Sequence, residues 1–172
     1  QIAAGKLPAS RANSLGPANT DWEKEIERIG WTQNHNLSLS GGTPSTRYRA
    51  TLNYFEQQGI IISNGLRRYQ GRVNAANSAF QDKLQSSFNL TVSRVFNDYL
   101  PFDNTAGFSG GVFTNMVSFD PTQPVRNADG TFYEVGAGAQ SLRNPVAMAR
   151  QLIDQAPETR TLGNFTASYG IL

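Results

Sequence analysis

The chain has 172 residues, only 16% of them charged, and a formal net charge of +2. With no long basic run, this balance gives no reason to expect a nucleic-acid partner. The sequence lacks cysteine and has one histidine, His35, which excludes disulfides, thiolate metal sites and a histidine metal centre. No metal, cofactor or catalytic residue is predicted, and the protein is expected not to be an enzyme.

Hydropathy excludes a helical membrane protein. The longest aliphatic run, Gly-Ile-Ile-Ile at 59–62, is far shorter than the ~20 apolar residues of a membrane helix. A strand of a membrane barrel needs only ~9–11 residues, half of them apolar, so the composition leaves that architecture open.

The first 33 residues are predicted to form a loop that carries one short helix, at 20–29. Thr20 and Glu23 have the spacing of a capping box, which satisfies free amides at a helix start. Gly30 is expected to end the helix. Three apolar side chains share one of its faces: Trp22, Ile26 and Ile29.

Residues 34–97 change to a two-residue period, which is typical of strands with one apolar face. Four strands are predicted, at 34–41, 47–56, 70–80 and 84–97, and a fifth at 161–172. The apolar set that we expect on one face is Leu52, Tyr54, Phe88, Leu90, Val92, Phe165, Ala167 and Tyr169. The polar set on the other face is Thr51, Asn53, Ser87, Asn89, Thr91, Thr166 and Ser168.

The alternation breaks between residues 98 and 160. Asp129-Gly130 predicts the tip of a hairpin, and Asn144-Pro145 predicts the start of a helix over 144–156. The predicted connections alternate in length, being short at 41–46 and 81–83 and longer at 57–69 and 98–160.

Two all-β architectures fit this pattern. A transmembrane barrel has lipid on one side of each strand, a wet lumen on the other, short periplasmic turns and long outer loops. A soluble or surface-exposed β-sandwich, such as a binding module or adhesin, explains the alternation equally well. A sandwich gives less reason for short and long connections to alternate along the chain.

The long connection is the best candidate for a binding site, because unstructured loops beyond ~12–15 residues are uncommon without a function. Aromatic rings beside amides and carboxylates suit the recognition of sugars or peptides. The alternative is that these rings pack the loop against its neighbours or a partner protein. The candidate rings are Phe102, Phe108, Phe113, Phe119, Phe132 and Tyr133.

Ordered motifs over residues 20–60 resemble the SusC/RagA family of TonB-dependent outer-membrane transporters. That family shows a Thr-Asp-Trp helix, an Asn-His-Asn-Leu-Ser strand that ends in Gly-Gly, a Tyr-Arg-Ala-Ser-Leu-like strand and an Asp-Gln-Glu-Gly-like turn. Residues 120–134 and Asn144-Pro145 also resemble family loop segments. The matching residues here are Thr20-Asp21-Trp22, Asn34-His35-Asn36-Leu37-Ser38, Gly41-Gly42, Tyr48-Arg49-Ala50-Thr51-Leu52 and Gln57-Gln58-Gly59.

The resemblance implies an importer in the outer membrane of a Gram-negative bacterium. It implies that these strands form part of a 22-stranded transmembrane β-barrel in contact with outer-membrane lipid, and that 98–160 is an extracellular loop carrying short helices. The plug domain and the segment that binds TonB are expected outside this chain, which would cover early barrel strands. The implied partners are TonB, a SusD-like lipoprotein and an oligosaccharide or peptide substrate.

Overall fold

The computed structural model describes residues 15–100, 110–135 and 142–171. They fall into two compact units, which we call the sheet unit and the loop unit. The sheet unit comprises 30–59, 64–99 and 155–171, and the loop unit comprises 15–29, 60–63, 100, 110–135 and 142–154.

The sheet unit is a five-stranded meander in which each strand pairs with the next in the sequence. The strands are β1 (Thr32–Gly42), β2 (Thr46–Gln58), β3 (Gly65–Ala79), β4 (Leu84–Tyr99) and β5 (Asp154–Tyr169). The first four pair antiparallel. β5 lies antiparallel to β4, because Gly170 N donates to Lys83 O at one end and Gln155 Nε2 donates to Asp98 Oδ1 at the other.

The register places the two predicted sets on opposite faces of the sheet. Leu52 pairs with Leu37 of β1 and with Gly71 of β3, and Gly71 pairs with Val92 of β4. Paired residues of antiparallel strands point to the same side, so one apolar face runs across the sheet. A Cβ added at Gly163 would lie 3.7 Å from Leu90 Cδ1, which puts the odd-numbered residues of β5 on that face.

All five strands are longer than the alternation predicts, and two of them begin well before the predicted position. β3 begins at Gly65 instead of residue 70, so the connection predicted at 57–69 shrinks to 59–64. β5 begins at Asp154 instead of residue 161, which shortens the predicted 98–160 connection at its end. Pro157, which is expected to follow the predicted helix, lies instead within β5, near the start of that strand.

The loop unit contains three short helices, α1 (Trp22–Ile26), α2 (Val112–Ser118) and α3 (Pro145–Gln151). The predicted bounds 20–29 and 144–156 were too long. Asp21, not Thr20, caps α1 by accepting a hydrogen bond from Lys24 N. Thr20 is engaged elsewhere, because its hydroxyl donates to Gln123 O at 2.6 Å.

A small core joins these helices with the β2–β3 connection. Its buried apolar residues are Trp22, Ile26, Ile61, Leu100, Val112, Phe119, Val146, Met148 and Ala149. The chain covers the apolar face of α3 itself, whereas Ile153 lies beyond the helix and is 81% exposed. Among the described residues, none of the helices has the length and hydrophobicity needed to cross a membrane.

Candidate functional site

Four of the six candidate rings lie in the part of the chain that the structure describes; Phe102 and Phe108 lie outside it. Phe119 is 2% exposed, and its ring meets Trp22 edge to face with 4.8 Å between centroids. The Trp22 indole also donates to Asp120 O at 3.2 Å. Phe119 therefore packs the loop unit, as the alternative reading proposed for these rings.

Phe132 and Tyr133 lie on the predicted hairpin and are half-buried against the same core. The Arg126 guanidinium carbon lies 4.0 Å from the Phe132 ring centroid, which orients both side chains. Phe113, on α2, is 37% exposed and is the most exposed of these four rings. The structure therefore does not gather these four rings into one cleft.

The hairpin tip is built as the sequence predicts. Asn127 N donates to Thr131 O, and Gly130 N donates to Asn127 O. Hydrogen bonds from the Thr131 hydroxyl and backbone N–H lower the pKa of Asp129, an exposed carboxylate. The Asp129 carboxylate therefore stabilises the turn by accepting these two hydrogen bonds.

Asn144 connects the hairpin to α3 and is fully buried. Its Oδ1 accepts hydrogen bonds from Val146 N and Ala147 N, as the predicted helix cap requires. Its Nδ2 donates to Val125 O at 2.9 Å and to Tyr133 O at 3.0 Å. Cap spacing identified the first pair of bonds, but nothing in the sequence indicated the second pair.

In the sheet unit, large side chains on the apolar face are exposed. Leu37 is 69% exposed, Leu52 61% and Phe165 68%. Proteins in water seldom expose contiguous apolar areas of this kind unless the area is an interface. The sheet unit by itself therefore presents a surface that needs an apolar covering.

A row of rings crosses the sheet at one end of this apolar face. His35 stacks on Tyr54 at 6.2 Å, Tyr54 meets Tyr69 at 5.1 Å, and Tyr69 meets Phe96 edge to face at 6.2 Å. Arg94 lies 4.9 Å from the Phe96 ring centroid. Amphipathic rings with a neighbouring cation are typical of the boundary between hydrocarbon and water.

Comparison with known proteins agrees with this architecture, although no family model matches. The chain is 31% identical over 156 residues to TonB-dependent receptor P3 of Formosa agariphila, covering 90% of this chain and 15% of the relative. It is 28% identical over 189 residues to TonB-dependent receptor SusC of Bacteroides thetaiotaomicron, covering 98% of this chain and 18% of the relative. The chain thus spans less than one fifth of the length of either relative.

Among solved structures, the RagAB peptide importer in its closed-closed state contains a similar fold. The match has a TM-score of 0.65 and 21% identity, and covers 92% of this chain and 18% of the other.

The described strands thus form an all-β antiparallel meander with one exposed apolar face and one polar face. This chain is similar to one segment of the SusC/RagA-type TonB-dependent transporters, which confirms the resemblance seen in the sequence motifs.

Proposed function

We propose that this chain is a wall segment of a TonB-dependent nutrient importer in a bacterial outer membrane. The single observation that carries the proposal is the exposed apolar face of the sheet unit, opposite a face of amides, hydroxyls and arginines. Lipid covers such an apolar face in a membrane barrel, and a water-filled or plugged lumen solvates the other.

The apolar stripe has a length that suits a membrane. On β4 its apolar members are Leu84, Phe88, Leu90 and Val92, with Ser86 between the first two. Eight residue steps at ~3.4 Å give about 27 Å along the strand. At a tilt of ~40° this spans about 20 Å of membrane depth, close to the ~25 Å apolar band of outer-membrane barrels.

Substrate capture and energy coupling follow the family pattern in this proposal. The loop unit lies outside the cell, where it contacts the substrate, a SusD-like lipoprotein, or both. The solved relative imports peptides, and we assign a peptide or an oligosaccharide to this protein. TonB acts through a part of the protein that is not in this chain, and the barrel itself performs no covalent chemistry.

The β-sandwich alternative requires a second sheet packed on the apolar face. Within the described residues the strands form a single sheet. The exposure of Leu37 and Leu52 therefore favours the barrel.

Spin labels test the assignment of the two faces. The chain has no cysteine, so Leu90→Cys and its neighbour Asn89→Cys form a matched pair of labelling sites in the full-length protein. We expect oxygen dissolved in lipid to accelerate the spin relaxation of the label at position 90. The relaxation of the label at position 89 should be accelerated by a water-soluble nickel complex or by neither reagent. The reverse result refutes the barrel.

Uptake and orientation need separate tests. Deleting the gene is expected to abolish growth on one class of peptide or oligosaccharide, and the full-length gene is expected to restore it.

A protease site inserted at Gly130 should be cut from outside intact cells. Cleavage from the periplasm alone would contradict the proposed orientation.

A further inference from the structure

We propose that the polar face of the sheet unit contains a binding site for carboxylate and related oxyanion groups. The site is the hollow between Arg68, Arg72 and Arg160. The assignment of this hollow to the transport lumen rests on the proposed function, whereas anion binding itself follows from the local chemistry.

Positive charge is concentrated on one face of the sheet. The whole chain has a net charge of only +2. By register, the polar face nevertheless carries four arginines of β2 and β3, and the lining of the hollow adds one from β5. These are Arg47, Arg49, Arg68, Arg72 and Arg160.

The three arginines of the hollow lie on two strands that are far apart in the sequence, Arg68 and Arg72 on β3 and Arg160 on β5. The hollow measures about 340 Å³. Thr91 and Ser93 of β4 line its floor between the arginines of β3 and Arg160 of β5. Arg72 Nε donates to the Thr91 hydroxyl at 3.3 Å, so one edge of its guanidinium is held while the other nitrogens remain available.

Arg68 supplies a donor that the described residues leave unsatisfied. Its Nε is buried and has no hydrogen-bond partner. Its guanidinium carbon lies 5.3 Å from the Phe55 ring centroid, and one terminal nitrogen reaches Asn53 Oδ1 at 3.5 Å. A buried N–H without a partner is costly, and Arg68 is one of the residues that line the hollow.

The chemistry of the lining favours carboxylates. The planar fork of arginine matches a carboxylate in two-bond geometry. Glu158 shares the hollow, but among the described residues it forms no salt bridge with Arg68, Arg72 or Arg160. Three guanidiniums against one carboxylate leave an excess of positive charge for an incoming anion.

The carboxylate has two candidate sources, a transported substrate and an acidic side chain from another part of the same protein. The test uses the full-length protein in neutral detergent, with fluorescein-labelled pentaglutamate as the probe and pentaglutamine as its uncharged counterpart. We expect pentaglutamate to bind with an affinity that falls with added salt, and pentaglutamine to bind more weakly.

Matched variants locate the site. Arg72→Gln and Arg160→Gln should each weaken pentaglutamate binding about tenfold, the effect of one charge-assisted contact. Arg94→Gln on the apolar face and Arg47→Gln outside the hollow should leave it unchanged, and a heat-modifiability gel confirms that every variant is assembled. Equal losses in all four variants would reduce the effect to net charge and overturn the proposal.

A photo-crosslinker, p-benzoylphenylalanine at Ser93, separates the two sources. An adduct with pentaglutamate identifies the substrate source, and an intramolecular adduct with an acidic segment identifies the internal one. Absence of both pentaglutamate binding and an acidic adduct overturns the proposal. The spin-label result at positions 89 and 90 bears on the barrel alone, so the two proposals fail separately.

Discussion

Asn144→Ala should open the loop unit locally, because one buried amide satisfies four backbone groups. Its Oδ1 holds the first-turn amides of α3, and its Nδ2 holds the carbonyls of Val125 and Tyr133. Loss of a helix cap costs ~1 kcal/mol. Each buried carbonyl left without a donor costs at least ~1 kcal/mol. The expected total is about 3 kcal/mol, or roughly a hundredfold increase in local opening.

Hydrogen exchange of the full-length protein, read by mass spectrometry on peptides from residues 110–135 and 142–154, measures this opening. Asn144→Asp separates the two contributions, because it keeps the cap but turns a carboxylate towards two carbonyl oxygens. Asn127→Ala is the matched control, since Asn127 is exposed and bonds only within the hairpin tip. Less than a tenfold change in Asn144→Ala, or protection in Asn144→Asp like that of the unsubstituted protein, would refute the reasoning.

Leu90→Arg should cost roughly 2–4 kcal/mol in barrel stability if that residue lies near the bilayer midplane, while Asn89→Arg should be tolerated; equal folding yields would contradict the facing. Residues 1–172 expressed alone should aggregate, because the outermost strands expose unpaired backbone groups, and a cooperative monomeric melt in plain buffer would contradict this. Burial opposes ionisation of Asp120, but hydrogen bonds from the backbone and hydroxyl of Thr122 outweigh it and hold the pKa below its ordinary value of 3.8; its stabilisation is complete above that value and is lost as the pH falls through the lowered pKa, so Asp120→Asn should reduce the acid sensitivity of proteolysis in the loop unit. Phe113→Ala should lower uptake with normal assembly if the ring contacts substrate, whereas lost lipoprotein association would assign it to the partner interface.

The residues that share a face of the sheet can be predicted from the sequence alone. Side chains alternate at every residue of a strand, so the faces of β2 and β4 can be read without knowing their neighbours. The hairpin tip at Asp129-Gly130 and the Asn144 cap were predictable for the same reason, since each depends on bonds within a few residues.

The ends of the strands, in contrast, depend on contacts between distant parts of the chain. β3 and β5 extend beyond the alternating stretch because neighbouring strands supply hydrogen-bond partners there, and a ladder of backbone bonds needs no apolar pattern. Likewise Thr20 lost its predicted capping role because Gln123, 103 residues away, offers its hydroxyl an acceptor.

The same distinction applies to both candidate sites. From the sequence, Phe119 is a candidate for ligand binding. Its burial and its contact with Trp22 show that it belongs to the core of the loop unit. Arg68 and Arg160 are 92 positions apart, and the sequence gives no sign that they are neighbours. They line the same hollow because β3 and β5 flank β4 in the sheet. Local periodicity specifies the direction of a side chain, but the neighbours that it meets depend on which distant strands pair, and that depends on the free energy of the whole sheet.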